Sequence, residues 1–126
     1  MAGIAKKNLS AEQQLNYYKE ATATEQGLRN AIMLLEVRQA LTTSSDETMT
    51  CMVKITEFRA EVEKVHAALL VFAAENTVIT PPSDQDVSTI TGIVERLAKM
   101  TANNNAATEI IRTATELINA LQKTRA

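Results

Sequence analysis

Glu63 and His66 stand three residues apart in the run Glu63-Lys64-Val65-His66. On a helix, that spacing puts a carboxylate and an imidazole on one face, as in di-iron and di-manganese carboxylate bundles. Such centres need two motifs of this kind and further inward-facing glutamates, and His66 is the only histidine of the chain. The pair also flanks an apolar seam instead of lying on it, which suits an exposed charged pair. Cys51 is the only cysteine. As a nucleophile it would need His66 as its base, yet along a helix the two lie about 22 Å apart. As a small apolar side chain four residues before Ile55, it fits a core position.

Lys54, Arg59 and Lys64, with Arg96 and Lys99, are interleaved with Glu57, Glu61, Glu63 and Glu95. Arg59–Glu63 and Glu95–Lys99 stand at i,i+4, a spacing that supports a solvated helix face rather than a basic patch. Tyr17 and Tyr18 have the chemistry of an interface anchor. Tyr18, however, shares its helical phase with Leu28, Ile32 and Leu35. Gly27 and Gly92 are isolated, so no phosphate-cradling loop can be drawn. The residues imply no catalytic group, no metal ligand set and no cofactor.

The element on which these residues sit is the stretch from Cys51 to Asn76. Ile55, Phe58, Val62, Val65, Leu69 and Phe72 recur at spacings of three, four, three, four and three, which marks one face of a helix. The run 67–74 is apolar all round, which predicts cover on more than one side. This segment is therefore read as the central helix of a bundle.

With 126 residues, 45% hydrophobic and 22% charged, the chain has the composition of a single globular domain. Aromatics are 3%, so the core must be aliphatic; three glycines and two prolines are too few for a turn-rich β fold. A net charge of −2 argues against nucleic acid as the main partner. Residues 1–10 have no apolar stretch of the secretory kind. The run 67–74 falls far short of the roughly 20 residues of a membrane span. The expected location is the cytoplasm or a particle assembled there, which a single cysteine fits.

Local signals then divide the chain. Residues 1–9 read as a flexible N-terminal arm, and 10–126 as one helical-bundle domain. Ser10 with Gln13, Ser44 with Glu47 and Ser83 with Asp86 have capping-box spacing. Pro81-Pro82 ends any helix before it. The expected fold is all-α, an antiparallel bundle of three long helices at about 11–41, 45–76 and 84–124. The small, polar stretch 21–27 predicts a bend in the first helix. In the last segment Ile93, Leu97, Met100, Asn104, Ala107, Ile111, Ala114, Ile118 and Leu121 keep four-three spacing. That favours one continuous helix with Asn104 as a polar layer; the competing reading breaks it near Asn104 and gives four helices. A continuous last helix would outrun the other two and leave seam residues without a partner.

The function expected on these grounds is that of a non-enzymatic assembly or interaction protein: a structural subunit, adaptor or small chaperone. It would act by self-association, as a homo-oligomer, or through a partner's helix. Leu70 and Val71, off the main seam, Val53 beyond them, and Tyr17 are the candidate contact residues. The competing classes are a helical enzyme or metal carrier using carboxylates around Glu63 and His66, and a nucleic-acid-linked regulator.

Overall fold

The computed structural model describes residues 3–74 and 78–125. The chain is an all-α bundle of four helices among the described residues: α1 (Ala11–Leu41), α2 (Ser45–Ala73), α3 (Asp84–Lys99) and α4 (Ala107–Arg125). The first three starts follow from local chemistry. Ser10 Oγ accepts from the Gln13 N–H, and the Gln13 side chain accepts from the Ser10 N–H. Ser83 and Asp86 make the same reciprocal pair. At α2 only half the box forms: Ser44 Oγ accepts from the Glu47 N–H, while the Glu47 side chain turns elsewhere. Asn76, the expected end of the second helix, lies outside the described residues.

The continuous last helix is not what forms. α3 stops at Lys99 and α4 begins at Ala107. Met100 has extended backbone angles, and the linking residues bond among themselves. Asn105 Oδ1 accepts from the Thr101 N–H, and Thr101 Oγ1 accepts from the Asn104 N–H. Asparagine and threonine side chains compete in this way with helical hydrogen bonds. Asn104 is consequently an exposed loop residue, not a layer in a seam. Two distant groups hold the link in place. Arg38 Nη1 donates to the Ala102 carbonyl at 3.1 Å, and Glu47 Oε2 accepts from the Ala107 N–H at 3.2 Å. The second bond satisfies one of the orphan donors at the start of α4.

Pairings fix the directions. Glu36–Arg59, Glu25–His66 and Tyr17–Ala68 run in opposite order along α1 and α2, so these two are antiparallel neighbours. Asn16–Asp84 and Asn30–Leu97 ascend together, so α3 runs parallel to α1. Glu20–Arg125 and the approach of Gly27 to Leu117 set α4 antiparallel to α1. α1, not α2, is therefore the central helix, packed against all three others. Its buried residues accordingly spread beyond a single stripe, from Tyr17, Glu20 and Thr24 to Leu28, Ile32 and Leu35. α1 runs as one helix through the small-residue stretch, which serves close packing. A Cβ on Gly27 would stand 2.7 Å from Leu117 Cδ2 and 2.9 Å from Val94 Cγ2.

α2 buries the expected stripe, Cys51, Ile55, Phe58, Val62, Val65 and Phe72. In α4 the buried set is Ala107, Ile110, Thr113, Ala114 and Leu117, with Ile111 and Ile118 only partly covered. The main core joins all four helices. A second cluster, built on Leu9, Tyr17, Ala21, Val65 and Phe72, closes one end. Residues 3–9, expected to be loose, lie against that end. Ile4–Ala5 (β1) pairs antiparallel with Val78–Ile79 (β2), Leu9 is buried, and Lys6 Nζ donates to the Ala73 carbonyl. Ile79 packs on this cluster, whereas Val78 stays exposed.

Candidate functional site

The residues whose types could supply chemistry stand apart from one another. Both Glu63 and His66 are exposed. His66 Nδ1 faces Glu25 Oε1 on α1 at 3.3 Å, a cross-helix contact that does not involve Glu63. Among the described residues, no group of three or more His, Cys, Asp or Glu stands close enough to hold a metal ion. Cys51 is buried on the α2 core stripe, and its thiol is held above the usual range by burial, with Glu47 adding to the effect. A thiol kept protonated is a poor nucleophile. Arg59 pairs with Glu36 across the α1–α2 seam at 3.1 Å, in place of the expected Glu63. Lys54 pairs with Glu57, Lys64 with Glu61, and Arg96 with Glu116. Lys54, Arg59, Lys64 and Arg96 are thus dispersed in ion pairs on the surface.

Tyr17 is 2% exposed. Its ring stacks on Phe72 at 3.9 Å, and its hydroxyl donates to the Ala68 carbonyl. It anchors the chain's own end cluster and is not presented outward. The Arg125 guanidinium lies over the Tyr17 ring, 4.1 Å from its centroid, as a cation–π contact. Arg125 also reaches Glu20 Oε1 at 3.3 Å.

Glu20 is the polar group that sequence reasoning missed. It has no exposed surface, and its carboxyl is pushed up to about 7 by burial, against the opposing pull of Arg125. A legible signal existed: Tyr17, Glu20, Thr24, Gly27, Ala31 and Leu34 form a second four-three stripe on α1. A perturbed carboxyl in a cleft would suggest catalysis; sealed from solvent, this one has no route to a substrate. Glu47 differs. Its carboxyl is lowered by Thr42, then by the Ala107 N–H and by Arg38, and it ties three elements together.

The remaining feature is a face. Leu70 is 60% exposed, Val71 59% and Val53 52%; Met49 and Met52 are exposed with them. The cover expected over 67–74 is thus absent from much of that run: Phe72 is buried and Leu69 half-buried, while Ala67, Ala68, Leu70 and Val71 face outward. At 100° per residue, Met49, Val53, Thr56, Ala60, Glu63, Ala67 and Leu70 share the side of α2 opposite its core stripe. All seven are exposed.

Comparison with family models, curated proteins and solved structures gave no match. The outer face of α2 therefore has to be read from its own chemistry. Single exposed apolar residues are ordinary on protein surfaces. A stripe at coiled-coil spacing over about 32 Å of helix is a different object, because it presents apolar and small side chains, interrupted only by Glu63, to a second helix.

Proposed function

We propose that this protein is a non-enzymatic helical assembly module, working by self-association or by pairing with a partner's helix. The observation that carries the reading is the outer face of α2, apolar or small at four-three spacing except at Glu63, and exposed along its length. Val53 and Leu70 are its principal contacts, with Val71 at one edge. Tyr17 belongs to the interior and takes no part. Free Cys51, buried and unbridged, supports a setting in the cytoplasm or in a particle assembled there. Among the described residues no helix is long and apolar enough to cross a membrane.

Light scattering over a concentration series tests the reading. The wild-type chain is expected to exceed the 13.8 kDa of one subunit as concentration rises. Leu70→Glu puts a charge on the face at a position with little to lose internally. It should return the protein to the mass of one subunit while leaving the helical circular dichroism intact. A wild-type chain that stays at one-subunit mass to high micromolar concentration and binds no amphipathic helix overturns the proposal.

A further inference from the structure

We propose that α2 pairs with α2 of a second copy, antiparallel, about a two-fold axis between Ala60 and Glu63; this rests on the assembly reading above and specifies its partner. From Val53, the outer stripe continues through Thr56, Ala60, Glu63, Ala67 and Leu70 at spacings of three, four, three, four and three. This is the spacing of the seam of a two-stranded coil, here filled by small residues and Glu63 between Val53 and Leu70. Laid against its own copy in the opposite direction, it matches Val53 with Leu70 of the partner subunit and Thr56 with Ala67 of the partner subunit. Ala60 meets Glu63 of the partner subunit, and two-fold symmetry makes each match twice. The large side chains stand at the ends of the contact, and the small ones near the axis let the backbones approach.

Charge chooses the occupant and the direction. In the antiparallel register Glu57 lies on the flank beside Lys64 of the partner subunit. Glu63 enters the central layer next to Arg59 of the partner subunit. Both are pairs of opposite sign. A parallel pair in register would set Glu63 against its own copy and bring Arg59 beside Lys64 of the partner subunit. Both contacts are then repulsive. The present partners of these charges, Glu61 for Lys64, Lys54 for Glu57 and Glu36 for Arg59, are exposed pairs of small worth that can exchange on docking. The stripe is thus complementary to itself in one direction only, which favours a second copy over an unrelated helix.

Cysteine cross-linking in a Cys51→Ala background tests the register. In the proposed pair, Val53 and Leu70 of the partner subunit are within disulfide reach. The two copies of Val53 are roughly 25 Å apart along the axis. Oxidation of a mixture of Val53→Cys and Leu70→Cys chains should give a cross-linked dimer, while neither variant alone should. Cross-linking by Val53→Cys alone would establish a parallel pair and overturn the inference. So would a dimer by light scattering that forms no link between positions 53 and 70; the assembly reading would survive that result. A chain of one-subunit mass at every concentration overturns both. Independently, Lys64→Glu should weaken self-association on the order of tenfold. Adding Glu57→Lys to the same chain should restore it. Failure of the double variant to recover would also count against the pairing.

Discussion

Glu20 holds its carboxyl where water does not reach, under the Arg125 guanidinium. Loss of hydration raises it from 4.5 to about 7, Asp86 pushes in the same direction, and Arg125 and Thr124 oppose them. In the unfolded chain the group returns to its ordinary value. Between these two values the folded chain holds a proton that the unfolded chain has released. Stability contributed by the group is therefore full at low pH and falls as pH rises from about 4.5 through about 7. The whole effect is on the order of 3 kcal/mol. Glu20→Gln keeps the volume and removes the ionisation, so its stability should be flatter over the same interval. Urea unfolding at either end of the window measures this. Equal slopes for wild type and variant would show that the burial of Glu20 is not felt energetically.

At the scale of elements, the turn between α3 and α4 shows how periodicity misleads. Ile110-Ile111 and Leu117-Ile118 are apolar doublets. With such doublets, a seam can be drawn straight through the asparagines by choosing Ile111 and Ile118, although α4 buries Ile110 and Leu117. The true register shifts at the link, as it should when two helices dock independently on α1. Because Asn104 is exposed and its side chain takes no part in the core, Asn104→Leu should change stability by less than about 0.5 kcal/mol. Amides at 101–106 should exchange faster than those of the flanking helices. Protection there equal to that of α3 and α4 would mean that the helix runs through in solution.

For the whole molecule, the consequence lies in which helix is central. With α1 in contact with the other three, α2 is a peripheral helix, covered on its inner face and open on its outer one. On the proposed pairing, self-association is tied to stability, since a dimer interface present only between folded chains would add its binding energy to theirs. Raising the protein concentration about a hundredfold should therefore raise the melting temperature by roughly 3–6 °C. Leu70→Glu should abolish that dependence. A melting temperature independent of concentration in the wild type would argue for a chain that works alone.

The starts of α1, α2 and α3 were legible because they are decided within four residues. Ser10, Ser44 and Ser83 meet N–H groups three positions on, and no distant contact is needed. The inner stripe of α2 was legible for a related reason: a helix with one covered side writes a single narrow stripe. α1 wrote several, because its partners lie on three sides, and reading only the one through Tyr18 and Leu28 hid both its central place and buried Glu20. The sealed Glu20–Arg125 contact joins residues more than a hundred positions apart. Nothing local marks such a pair, and only folding α4 back along α1 makes it. The break at 100–106 is likewise tertiary. Local asparagine and threonine bonds permit the turn, but Arg38 and Glu47, brought there from α1 and α2, hold its backbone in place. Hydropathy told that the segment from Ala67 to Ala74 is apolar all round; whether a neighbour covers it depends on where the other helices go. They go to α1, and the outer side of α2 is left to face outward.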